Sequence, residues 1–124
     1  MGALTTLFTV ISLQQGLPPG LLSAVCFTET RHVVNAIHLN DGKSHSYGIC
    51  QIKLVTAQQM GFKGTPRQLM EPKTNILFAA KYLRHQIKRY KNVKKAVIAY
   101  NQGHAGDLIE TAYQNKVYAY WGRE

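Results

Sequence analysis

The chain predicts a mostly α fold with a small β-hairpin or irregular segment near residues 35–53. Three observations carry this. Apolar residues recur at three- and four-residue spacing through most of the 124 residues. Gly and Pro punctuate those runs at intervals of helical length. The polar, turn-rich stretch is confined to Asn35–Ser46. At 45 % hydrophobic residues the chain can bury a core and is too apolar for disorder. Its length fits one domain over residues 1–124, with an N-terminal helix in residues 1–16.

The first helix is expected over Leu4–Gln15, where Leu4, Leu7, Phe8 and Ile11 share a face. Its apolar stretch lacks the basic start and the small-residue cleavage site of a signal peptide. No run in the chain reaches transmembrane length. Gly16-Leu17-Pro18-Pro19 ends this helix, and the prolines suit the start of a second, which closes near Arg31. Asn40-Asp41-Gly42 is the clearest turn signal. Ser46–Lys53 is a short strand or an irregular segment. A helix follows over Leu54–Met60, then a loop from Gly61 to Thr65, with Pro66 opening a short turn or helix. Asn75–Tyr90 has the best-defined helical pattern. Ile76, Ala80, Leu83, Ile87 and Tyr90 form its seam, and basic residues cover its other faces. Two more helices are expected, over Val93–Tyr100 and Gly106–Tyr120.

Fifteen Lys and Arg against six Asp and Glu give a net charge of +9. Such a protein seeks anionic partners. Zinc-type Cys/His spacing and aromatic RNA-binding strands are absent from the sequence, so nucleic acid is not the expected partner. The basic run Lys81–Lys95 is read first as the solvated face of an amphipathic helix. Its alternative reading is attraction to an acidic wall or membrane surface. The five histidines form no ligand pair with a nearby carboxylate, so no metal and no cofactor is expected. Cys26 and Cys50 both sit in apolar stretches and are read as two buried free thiols rather than a bridge.

One carboxylate stands out. Leu22, Val25, Cys26 and Glu29 lie on one helical face, and from Leu21 to Phe27 the only polar side chain is Ser23. An ionised carboxylate on such a face is costly unless paired or protonated. A carboxyl group held neutral in a half-apolar site is what a general acid needs. The competing reading is a helix end that turns Glu29 into solvent or pairs it with a nearby cation.

Three segments together resemble the soluble lytic transglycosylase family, lysozyme-like enzymes that cut bacterial peptidoglycan. Leu21–Thr30 resembles the family's apolar helix ending in Glu-Ser. Ser46-Tyr47-Gly48-Ile49-Cys50-Gln51-Ile52 resembles its Gly-Leu-Met-Gln-Ile segment. Ala99-Tyr100-Asn101-Gln102-Gly103 resembles Ala-Tyr-Asn-Ala-Gly. Glu71-Pro72, Asn75-Ile76 and Tyr82-Leu83 match the start of the central helix, and Tyr113, Val117 and Tyr120 match the closing one. The resemblance runs from about Leu17 to Tyr120. Departures are Thr30 for Ser, Ile49-Cys50 for Leu-Met, Gln102 for Ala, and Lys53 at an ordinarily apolar position, where it adds a cation near the glycan groove.

The resemblance implies an α+β lysozyme-like fold and a single catalytic acid, Glu29. The bond cut lies between N-acetylmuramic acid and N-acetylglucosamine, and the product is a 1,6-anhydromuramyl end. It further implies that Tyr100 orients the Glu29 carboxyl through its hydroxyl. Asn101 and Gln51 would hydrogen-bond the sugars, with Ser46 and Thr30 as further contacts and Gly48 admitting the sugar close to backbone. Tyr47, Tyr118 and Trp121 are candidates for stacking on sugar rings, against an ordinary core role. The expected partners are peptidoglycan strands and the anionic envelope surface, met by a monomer in the periplasm or at the cell wall. A phage lysis or virion-associated enzyme is favoured over a domain of a bacterial wall-remodelling protein. Two alternatives stand. Asp41 could position a water, giving a hydrolysing muramidase similar to goose-type lysozyme. The chain could also be a non-catalytic cationic wall-binding module.

Overall fold

In the computed structural model, which describes residues 2–39, 45–103 and 112–122, the first helix, α1 (Ala3–Gln15), ends where Gly16 turns left-handed (φ 67°). That conformation suits a residue without Cβ. Arg84 reaches across to donate to the Gln15 carbonyl at 2.7 Å, satisfying one of the helix's open acceptors. One member of the basic run thus fastens α1 instead of facing solvent freely. Helix α2 (Leu21–Thr30) follows Gly20, and Leu21, Leu22, Ala24, Val25 and Cys26 are buried along it. It stops at Arg31, whose left-handed backbone returns its N–H to the Phe27 carbonyl.

The segment expected to be β or irregular holds three two-residue strands, β1 (Ile37–His38), β2 (Ser46–Tyr47) and β3 (Ile52–Lys53). They form an antiparallel sheet in the order β1-β2-β3. Ser46 lies opposite both His38 and Lys53, and Tyr47 opposite both Ile37 and Ile52. A tight turn through Gly48 and Gln51 joins β2 to β3. The Asn40-Asp41-Gly42 turn lies outside the described residues.

Four helices complete the described chain after α3 (Leu54–Gln59). Helix α4 (Pro66–Leu69) opens on a capping box between Thr65 and Gln68. Helix α5 (Pro72–Tyr90) begins earlier than its apolar seam suggests. Glu71 accepts from the Thr74 N–H and Pro72 occupies the first turn, so polar capping starts the helix ahead of the first apolar seam residue. Helix α6 (Val93–Gln102) is capped by Asn92 and ends at left-handed Gly103. Helix α7 covers Ala112–Trp121; the first part of the helix expected from Gly106 lies outside the described residues. The mostly helical architecture with a small sheet is that of an α+β lysozyme-like fold.

Helix α5 packs on α6 and α1, and α2 packs on α7. The main core gathers Leu22, Val25, Ile76, Leu83, Val97 and Val117, all at 0 % exposure. A smaller cluster of Ile52, Ala57, Phe62 and Leu69 lies under the sheet, with Tyr47 packed against it. Among the described residues no helix is long and apolar enough to cross a membrane.

The two cysteines correct the free-thiol expectation. Cys26 and Cys50 form a disulfide, their Cα atoms 4.2 Å apart. The chain after α2 doubles back so that the turn preceding β3 lies against the buried face of α2. Both residues are apolar in context because both belong to the core, and sequence spacing does not report that they meet there.

Candidate active site

Glu29 occupies the last turn of α2, on the same helical face as the buried Leu22, Val25 and Cys26, and lines a groove of about 400 Å³. Burial lifts its carboxyl from the usual 4.5 to about 7. One contact works against that rise. The Tyr113 hydroxyl donates to Glu29 Oε2 at 2.7 Å and favours the ionised form. The carboxyl is therefore near balance between its two forms at neutral pH; it is largely buried, and among the described residues no cation pairs with it. Tyr113 itself is held well above its ordinary pKa, chiefly by burial and then by the Glu29 charge, so it remains a donor.

The sequence reading assigned this contact to Tyr100, and the structure corrects it. Tyr100 lines the groove, but its hydroxyl donates to the Cys50 carbonyl at 2.8 Å. It ties α6 to the turn beneath the groove. Tyr113 lies 84 positions from Glu29, and no local motif says which tyrosine of the closing helix reaches the carboxyl. The one signal available was its place in the match to the family's closing helix.

Of the remaining expected residues, Ser46, Gln51 and Asn101 line the groove with Glu29. Gln51 also has a second task. Its Nε2 donates to the Ala36 and Gly48 carbonyls at 3.1 and 2.9 Å, and its own backbone is left-handed (φ 51°). A non-glycine residue held there stores local strain beside the site. Thr30 is not on the groove wall. Its hydroxyl donates to the Ile49 carbonyl at 2.7 Å and accepts from the Val33 N–H. Gly48 admits a close approach of protein and is not on the groove wall: a Cβ there would run into the Asn75 side chain, and φ is +78°.

That asparagine is the main residue missed as a site element. Asn75 sits at 0 % exposure at the start of α5. Its Oδ1 accepts from the Cys50 N–H at 2.9 Å, and its Nδ2 donates to the Tyr47 and Leu69 carbonyls at 2.7 and 2.8 Å. One amide thus holds both ends of the turn that carries Gly48 and Gln51. A polar residue in an otherwise apolar seam was the available signal.

The groove also takes in His38, Lys53, Thr56 and Tyr82. Lys53 is where the sequence placed a cation near the glycan. Tyr82 is braced by Gln86, whose Nε2 donates to its hydroxyl at 2.9 Å. Tyr47, Tyr118 and Trp121 are not on the groove wall. Tyr47 packs over the smaller core cluster, Tyr118 and Trp121 pack on each other, and Trp121 Nε1 donates to the Pro19 carbonyl. Asp41 lies outside the described residues.

Glu29 is the single carboxylate among the described lining residues. A paired-carboxylate glycosidase would set a second acid across the scissile bond. The arrangement here can deliver and recover one proton at one carboxyl. Ser46, Gln51 and Asn101 add hydrogen-bonding groups along the groove.

The family model for the transglycosylase SLT domain matches residues 6–120, and the chain belongs to that family. Neither the curated proteins nor the solved structures contain a match to it.

Proposed function

We propose, starting from membership of the transglycosylase SLT family, that this chain cleaves peptidoglycan with Glu29 as its only acid and base. The observation that carries the reading is the Glu29 carboxyl itself, raised to about 7 by burial, hydrogen-bonded by Tyr113, and alone among the described groove residues in being acidic. A group near balance at neutral pH can give a proton and take one back in the same turnover.

In this reading Glu29 protonates the oxygen linking N-acetylmuramic acid to N-acetylglucosamine, and the bond from that oxygen to muramyl C1 breaks. The muramyl 6-hydroxyl attacks C1 and returns its proton to Glu29, closing a 1,6-anhydro ring. Water takes no part, so each cut leaves the mass of the strand unchanged. The attacking hydroxyl belongs to the substrate, and its proximity replaces a second carboxylate. Ser46, Gln51 and Asn101 are the groups available to hold acetamido and hydroxyl substituents. Tyr113 orients the acid, while Tyr100 and Asn75 hold the turn that faces it.

The substrate places the action in the periplasm or at the cell wall, and a net charge of +9 draws the protein to anionic envelope surfaces. A monomer suffices, since every group named comes from one chain. Of the two settings that fit, a phage lysis or virion-associated enzyme is favoured over a domain of a bacterial wall-remodelling protein.

Mass spectrometry of soluble fragments from a peptidoglycan digest tests the proposal. The expected products end in 1,6-anhydromuramic acid. Reducing ends, heavier by one water, would overturn the single-acid mechanism and direct attention to Asp41. Wall binding without any cleavage would leave the cationic binding module.

A further inference from the structure

The sheet has two faces with different occupants. Residues directly opposite across antiparallel strands project to the same side. His38, Ser46 and Lys53 therefore form one cross-strand row, and Ile37, Tyr47 and Ile52 the other. The second row turns Ile52 and Tyr47 onto the smaller core cluster. All three residues of the first row line the groove, as does Ile52 of the second. Lys53 is the only Lys or Arg among the described lining residues. It is exposed, so its charge is open to a ligand in the groove.

Along a peptidoglycan strand the ring substituents are neutral hydroxyl and acetamido groups. The fixed negative charges are carboxylates on the peptide branch at the muramyl lactyl ether. The remaining residues of the row, Ser46 directly opposite Lys53 and His38 one strand further, add hydrogen-bonding groups on one side of the ammonium. We infer that Lys53 is a specificity-determining residue, selecting muramyl units whose peptide branch carries a free carboxylate, with Ser46 next to it in the row and His38 beyond. This rests on the transglycosylase reading of the groove. It deepens that reading by making the sheet wall a sensor of the peptide branch, while the helical wall holds the chemistry.

A Glu29→Gln background keeps the ligand uncut while binding is measured. Two muropeptide fragments of equal glycan length are compared by calorimetry, one with free branch carboxylates and one with those groups converted to amides. The free acid should bind about fivefold tighter, the scale of one exposed ion pair, and the preference should shrink as salt is raised. Lys53→Met should bring the ratio to about one, and Lys53→Arg should preserve it. Equal binding of the two fragments, or a preference that survives in Lys53→Met, would overturn the inference alone. A folded protein that binds neither fragment would overturn the transglycosylase reading with it.

Discussion

The groove has two walls built by opposite means. The helical wall, from α2, α6 and α7, brings Glu29, Asn101 and Tyr113 into place by burying apolar side chains behind them. Val25, Val97 and Val117 are all sealed from solvent. Its geometry rests on many small contacts, each worth little alone. The sheet wall has three strands of two residues each, too short to hold themselves. It is fixed instead by a few directed links. Asn75 makes three hydrogen bonds and Gln51 two, Tyr100 and Thr30 each reach one carbonyl, and one disulfide joins it to α2. Substitutions in the first wall should therefore have graded effects, and substitutions in the second abrupt ones.

The largest effect is expected where the helical wall carries chemistry. Glu29→Gln should lower the rate of muropeptide release by about 10²–10⁴-fold, with the far-ultraviolet circular dichroism unchanged. A folded and fully active variant would remove Glu29 from the mechanism. The sheet wall breaks next. Asn75→Ala leaves two carbonyls and one N–H without their partner at a buried position, and should cost about 3–4 kcal/mol of stability in urea unfolding. A loss under about 1 kcal/mol would mean the turn is held mainly by something else. Removing the bridge with Cys26→Ala and Cys50→Ala together should cost about 3 kcal/mol, read as a lower urea midpoint that reducing agent no longer changes.

Two smaller effects sharpen the contrast from the Glu29 side. Its folded pKa lies above the unfolded value, so between about 4.5 and about 7 the folded state binds more protons. Stability should fall as pH rises through that window, by about 2 kcal/mol once the residue's partial solvent contact is allowed for. Glu29→Gln should flatten that slope and be the more stable protein at pH 8, as measured by urea midpoints at pH 5 and pH 8. Tyr113→Phe removes the contact that lowers the carboxyl's pKa. The alkaline limb of the pH–rate profile should move to higher pH, with a rate loss of about fivefold at its optimum. An unmoved limb would detach Tyr113 from the acid.

The helical wall was largely legible in the chain. Apolar spacing through Leu22, Val25 and Cys26 put Glu29 at a buried helix end, and of the expected α5 seam Ile76, Ala80 and Leu83 are in the core with Ile87 packed against it. Ser46, Gln51 and Asn101 were found as lining residues through their motifs. Apart from Ser46 and Gln51, the sheet wall was legible only as a polar, turn-rich interval. Its register depends on which backbone groups Asn75 satisfies, and that is decided by residues 25 or more positions apart in sequence. The same distance hid the Tyr113 contact and the disulfide. Short-range pattern says that Cys26 is buried and that Cys50 is buried. It does not say that they are buried against each other.

The bridge has a consequence for how the chain survives attack. Cys26 and Cys50 close a ring around the whole of β1 and β2. A protease that cuts once inside that ring, for example after the exposed Arg31, leaves two polypeptides that still travel as one molecule. On a denaturing gel such a nicked protein runs as a single species until a thiol is added, and then as two. The fragment bearing Glu29 and the fragment bearing the rest of the groove stay tethered a few residues from both. In protease-rich surroundings, a cut in this stretch need not separate the acid from its groove.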